Sequence, residues 1–180
     1  MIGVLVSGEG TNLQALLDEG LPVVAVASNV AGAHGLERAR TAGVPAAVFA
    51  LDAYADRDAR DAAMADWLEE QGVELVVCAG YMHLLRPSFL ERFPGRVVNV
   101  HPAPLPEFPG AHPLQDVLAA GAPAAAATVH YVDAGVDTGA VIASEPVAVL
   151  AGDTVESLRD RVHAAEHRLL PKVVGELCAR

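Results

Sequence analysis

Residues 2–18 read Ile-Gly-Val-Leu-Val, then Ser-Gly-Glu-Gly-Thr-Asn, then Leu-Gln-Ala-Leu-Leu-Asp. An apolar run, a glycine-containing break and apolar positions at helical spacing predict a strand, a tight turn and an amphipathic helix. The same grammar repeats outward from this stretch. Val23–Ala27, Ala46–Phe49, Leu75–Ala79 and Val97–Val100 are apolar runs, and Leu36–Ala42, Asp58–Glu70 and Pro87–Arg92 carry helical spacing between them. Runs that are apolar throughout belong to strands covered on both faces, and alternation with helices means parallel βαβ units. The expected fold is α/β, a single-domain, doubly wound and mostly parallel sheet with a Rossmann-like N-terminal half. Residues 1–100 are its expected nucleotide- or phosphate-binding half and residues 101–180 the half with the catalytic loop.

After Val100 the pattern changes. Residues 101–113 hold five prolines (Pro102, Pro104, Pro106, Pro109 and Pro113) and continue neither a helix nor a central strand. A rigid loop leaving a strand end is a good platform for chemistry. Beyond it a short helix is expected near Leu114–Ala120, a strand at Ala126–Val132, a turn-rich loop at Asp133–Gly139 and a strand at Ala140–Val149. Asp153-Thr-Val-Glu156 reads as a capping box that opens a last helix running to about Leu177.

Composition narrows the function. The chain has 180 residues, 52% of them hydrophobic, which is enough for a substantial core in one domain. Its 12 Lys and Arg against 23 Asp and Glu give a net charge of −11, which disfavours a nucleic-acid backbone as partner. A small phosphorylated substrate needs only a few aimed N–H groups and stays open. Cys78 and Cys178 form neither a disulfide framework nor a CxxC pattern. The N-terminus has no basic n-region or cleavage site, and no apolar run approaches the ~20 residues of a membrane span. A cytoplasmic protein without membrane contact is expected.

Three segments carry candidate chemistry. In Ser7–Asn12, Gly8 and Gly10 let a backbone approach a ligand, and Thr11 or Asn12 is expected to cap the helix while N–H groups face an anion. The third glycine of a dinucleotide fingerprint would fall at Leu13, so a single phosphate fits better; a tight turn with no ligand reads the same way. Asn99 and His101 lie two apart on a strand, so both leave the same face at its carboxyl end. An amide beside an imidazole suits an oxyanion that forms in acyl transfer. In Asp133–Gly139, Asp133 and Asp137 read locally as turn formers. A carboxylate near His101 would raise the imidazole pKa and keep it charged near neutral pH. His163-Ala-Ala-Glu166-His167 matches a zinc-protease pattern, but no third ligand is evident and no metal is expected. No nucleophile elbow or P-loop occurs, so covalent catalysis has no candidate.

Together the segments Ser7–Gln14, Ser28-Asn29 with Gly35–Ala39, Ala79–Leu85, Val98–Pro106, Thr128-Val-His130, Val136–Gly139 and Ala165-Glu-His167 resemble the folate-dependent formyltransferases over nearly the whole chain. Asn-x-His-Pro-x-x-Leu-Pro followed by His…Asp-x-Gly is the core of that likeness. The Ser7–Asn12 loop and Ala165–His167 narrow it to the enzymes acting on glycinamide ribonucleotide.

The resemblance implies transfer of the formyl group of 10-formyltetrahydrofolate, a co-substrate, to the amine of that ribonucleotide in purine synthesis, by a monomer or homodimer. It implies Asn99, His101 and Asp137 as catalytic residues, with direct attack by the amine and the oxyanion stabilised by Asn99 and by protonated His101. Gly10, Thr11, Asn12 and Glu166 would bind the ribonucleotide. Arg57, Met82, His83, Leu84, Leu85 and Asn99 would bind folate. His83 stands where relatives often carry Arg, and Glu107 where some carry a basic residue.

Methionyl-tRNA formyltransferases share the core but add a basic domain, and formyltetrahydrofolate hydrolases add an N-terminal domain; neither is expected here. An amino-sugar or other small-amine formyltransferase and a non-catalytic nucleotide-binding module are the alternatives.

Overall fold

The computed structural model describes residues 1–179. Its first compact unit, Met1–Val98, contains strands β1 (Ile2–Val6), β2 (Val23–Ser28), β3 (Ala46–Val48) and β4 (Leu75–Cys78). Its helices are α1 (Thr11–Asp18), α2 (His34–Thr41), α3 (Arg57–Glu70) and α4 (Pro87–Leu90). The second unit begins at Asn99. Its elements are β5 (Val97–His101, entering from the first unit), α5 (Pro113–Ala119), β6 (Ala124–Tyr131), β7 (Val141–Ala148) and α6 (Val155–Cys178).

The strand order is β3-β2-β1-β4-β5-β6-β7, a seven-stranded sheet. β1 pairs in parallel with β2 on one side and β4 on the other, β2 pairs in parallel with β3, and β7 runs antiparallel to β6. The doubly wound, mostly parallel architecture read from the alternating runs is therefore the one observed. β1 and β4 are buried at every position, as their uninterrupted apolar sequences require. Edge strand β7 instead alternates between half-buried and exposed positions and accommodates Pro146.

In the first unit Leu13, Leu16, Leu36, Met64 and Leu68 are fully or almost fully buried with the strands. Burying one such side chain contributes roughly 1.5–3 kcal/mol. In the second unit Leu114, Val117, Ala125, Leu158 and Val162 form one apolar cluster, which fixes α5 and α6.

Two capping expectations are corrected. Neither Thr11 nor Asn12 caps α1: the N-cap is Gly10, at φ 70 and ψ 30, with no side-chain cap. The capping box of α6 is Thr154 with Ser157, one residue later than Asp153 with Glu156. Asp153 instead accepts N–H and O–H donors from Leu150 (2.7 Å) and Ser157 (2.8 Å) and pairs with Arg161. A 3-10 turn at Leu51–Ala53 has no apolar period and escaped the sequence reading.

Gly10 is required twice over, by its left-handed backbone and by close packing, since a Cβ there would stand 2.6 Å from the Gly35 Cα. The left-handed conformation alone costs a side-chain-bearing residue roughly 1–2 kcal/mol. Gly10→Ala is expected to lower unfolding free energy by more than that, measured as a reduced urea midpoint at unchanged slope.

Candidate active site

Asn99 and His101 leave the same face of β5, at the end where the proline loop begins. His101 Nε2 lies 2.7 Å from the Phe108 carbonyl oxygen in that loop and donates to it. Its other nitrogen, Nδ1, faces Asp137 Oδ2 at 3.5 Å. Asp137 Oδ1 lies 3.5 Å from Nε2 of His130 on β6, and its Oδ2 accepts the Gly110 N–H at 2.9 Å. His130 Nδ1 donates to the Tyr131 carbonyl oxygen at 2.8 Å, which leaves Nε2 to accept from the Asn99 amide at 3.1 Å. The imidazoles stand edge to face, with ring centres 6.5 Å apart. One carboxylate thus serves two buried histidines, and Asn99 is tied to the second of them.

The structure brings Asn99, His101 and Asp137 together, and it adds His130, which carried no role in the sequence reading. The only signal available was the Thr128-Val-His130 motif, because a histidine inside a strand otherwise reads as core. The expected sign of the His101 shift is reversed. Burial pushes its pKa below the ordinary 6.5, and His130 adds to this; the Phe108 carbonyl and the Asp137 charge pull upward without overcoming it. Burial also works against the Asp137 carboxylate, but the polar groups around it, His130 first and then the Gly110 N–H, outweigh burial and hold it below the usual carboxylate range. The resting state of the pair is neutral imidazole beside carboxylate.

Beside Asp137 lies an open cavity of about 260 Å³, lined by Leu105, Pro106, Pro109, Val136, Thr138 and Val141 among others. Its walls are mostly apolar, and Asp137 is the one charged group among them.

In the first unit the ends of β1 and β4 meet where the strand order reverses, the crevice that holds ligands in doubly wound sheets. Ser7 joins them. Its N–H donates to the Gly80 carbonyl (3.1 Å), its Oγ accepts the Met82 N–H (2.9 Å), and the hydroxyl donates to Asn29 Oδ1 (2.6 Å). Beneath this loop Arg60 and Asp61 are completely buried, with Arg60 Nε donating to Asp61 Oδ1 at 2.8 Å. Asp61 Oδ2 accepts the Arg86 N–H at 2.8 Å, and Arg60 Nη1 stands 2.6 Å from His83 Nδ1.

A guanidinium only donates, so His83 is neutral with its proton on Nε2. Burial, then Arg60 and Arg57, pull its pKa down. The loop is therefore held at Met82, His83 and Arg86, while the Met82 and Leu84 side chains stay exposed at 75% and 49% and Leu85 is buried. Arg60 and Asp61 were not singled out in the sequence, where charges on a helix read as its solvated face.

Arg57 opens α3, next to the N-cap Asp56, which accepts the Ala59 N–H at 2.8 Å. Gly10, Thr11 and Asn12 form the N-terminal end of α1, with Asn12 buried. Glu166 is buried on α6. His163 and His167 stack on the same helix with ring centres 6.2 Å apart. Among the described residues no group of three His, Cys, Asp or Glu is placed to hold a metal ion, and no helix is long and apolar enough to cross a membrane.

A family model described as formyl transferase matches residues 1–174. The chain belongs to the formyl transferase family. Within that family it is similar to the phosphoribosylglycinamide formyltransferase of Mycobacterium tuberculosis strain H37Rv, at 44% identity across 97% of this chain and 83% of the relative. It is also similar to the trifunctional purine biosynthetic protein adenosine-3 of Chironomus tentans, at 43% identity over 96% of this chain. There the chain spans only 13% of the relative's length. Among solved formyl transferases, the glycinamide ribonucleotide transformylase 1 of Symbiobacterium toebii superposes with a TM-score of 0.94 at 51% identity, covering 96% of this chain and 84% of that one.

His83, His101, His163 and His167 all have pKa values below the ordinary 6.5. A depressed folded pKa means that the unfolded chain binds the proton first. The stability these groups contribute is complete above 6.5 and is lost as pH falls from there through the lower folded values. The urea midpoint is expected to drop between about pH 7.5 and pH 5.5; a midpoint unchanged or higher at the acid end would contradict this account of the histidines.

Proposed function

We propose that this chain transfers the formyl group of 10-formyltetrahydrofolate to the amine of N1-(5-phosphoribosyl)glycinamide, a step of purine synthesis. The observation that carries the reading is the cluster of Asn99 and Asp137 with the buried His101 and His130, at the carboxyl end of β5. It offers an amide donor and a proton-exchanging pair but no serine or cysteine nucleophile. Family membership and the names of the relatives point to the same chemistry.

The amine of the substrate attacks the formyl carbon directly, forming the new C–N bond. Asn99 uses one amide hydrogen on His130 and keeps the second for the oxyanion that develops on the formyl oxygen. His101 has Nε2 committed to the Phe108 carbonyl, so the atom that gains and loses a proton is Nδ1, against Asp137. On taking up the proton released by the attacking amine, His101 becomes an imidazolium paired with Asp137, and its charge favours the oxyanion. Returning that proton to N10 of the folate as the old C–N bond breaks restores the neutral imidazole. The depressed pKa suits this cycle, because a neutral base must be available at the start.

The same reading assigns the phosphate to Gly10, Thr11 and Asn12, where α1 presents the positive end of its dipole. Glu166 would meet the ribonucleotide. Met82, His83, Leu84, Leu85 and Arg57 would receive the folate: exposed apolar side chains on a loop with a fixed backbone suit a flat ring system. No metal takes part in the proposed steps.

The test follows deformylated folate by absorbance with purified protein, the ribonucleotide and 10-formylated folate. Turnover is expected to depend on the ribonucleotide and to survive a chelator. His101→Ala and Asp137→Asn are each expected to lower kcat on the order of 10²–10³-fold. Folate deformylation without the ribonucleotide would instead indicate hydrolysis. Turnover with an amino sugar but not with the ribonucleotide would replace the acceptor, and ribonucleotide binding without turnover would leave a binding module.

A further inference from the structure

We propose that Asp133 and Thr138 are positioning residues whose side chains close the turn 133–139 and hold the Asp137 carboxylate between His101 and His130. For its kinetic consequence this rests on the formyl-transfer reading; its structural consequence is independent of that reading.

Asp137 is the one non-glycine residue with positive φ, at 52°, among the described residues. Such a backbone persists only where its surroundings over-determine it. The Asp137 carboxylate cannot supply that restraint alone, since each histidine contact is 3.5 Å long and its close donor is the single Gly110 N–H. The turn supplies the rest. Asp133 Oδ1 accepts the Gly135 N–H at 3.0 Å and the Thr138 hydroxyl at 2.6 Å, closing a ring of side-chain and main-chain bonds around Val136 and Asp137.

A Cβ at position 135 would lie 2.0 Å from Thr138 Oγ1, so glycine is what lets the hydroxyl reach its acceptor. Hydrogen bonding from Thr138 lowers the Asp133 pKa, which keeps the acceptor ionised through the neutral range. Asp133 and Thr138 are both exposed, so neither serves the core. What their bond determines is the conformation of the residue between them.

Thr138→Val and Asp133→Ala remove the hydroxyl and its acceptor, and Thr138→Ser returns the hydroxyl. Two quantities are read in each variant: kcat and KM for formyl transfer, and the pH at which the His101 imidazole titrates by NMR. If the clamp holds Asp137 in place, its loss takes away the charge that raises the His101 pKa, so His101 titrates at lower pH than in the wild type. With it kcat falls about tenfold while KM moves less than about twofold. Thr138→Ser restores both.

A Val variant with wild-type kcat and wild-type His101 titration would overturn the proposal, as would a loss that Ser does not reverse. Should the wild-type protein transfer no formyl group at all, the functional reading falls, and the His101 titration in Thr138→Val still decides this one.

Discussion

A single carboxylate, that of Asp137, sits 3.5 Å from each of two buried imidazoles and accepts one backbone N–H. A charge so placed is stable only if those neighbours stay, and each of them fixes a piece of chain. Gly110 pins the proline loop, His101 the end of β5, and His130 the end of β6 together with Asn99. The left-handed backbone at Asp137 and the bonds across its turn follow from the same demand. Charge, burial and strain are concentrated in a few residues, and the cost is offset by cooperation among them.

The first unit solves a different problem with similar means. Its loop after β4 holds the Met82 and Leu84 side chains out to solvent on a backbone bonded at Met82 and Arg86. A completely buried Arg60–Asp61 pair lies under the loop, and neither charge is left idle: Asp61 takes the Arg86 N–H, and Arg60 reaches His83. Removing one partner of such a pair leaves an uncompensated buried charge, which is strongly destabilising. The pair therefore works as an anchor rather than as a source of net stability. Through Arg60 the anchor also selects the neutral form of His83.

Much of the architecture was legible in residues 2–18 and their repeats. Strands covered on both faces must be apolar at every position, and helices packed on one side must be apolar at helical spacing, so periodicity alone separates the two. The ends of elements were less legible. Gly10 rather than Thr11 or Asn12 caps α1, because the approach of Gly35 leaves no room for a side chain there and that contact is remote in sequence. The shift of the α6 capping box from Asp153 to Thr154 has a similar origin, since Asp153 is taken by Arg161.

In the candidate site, Asn99 and His101 were readable from their two-residue spacing on a strand, which dictates a shared face. The sequence by itself thus determined the sheet, the strand end that carries the candidate site and two of the polar groups there, because these depend on local period and local chain stiffness. The tertiary structure decided the rest: that Asp137 is shared with His130, that Phe108 claims the His101 Nε2 proton, and that Arg60 lies buried under His83. It also decided the sign of the His101 shift. A pKa is the balance of burial against neighbouring charge, and both are set by residues far along the chain that only folding brings within reach.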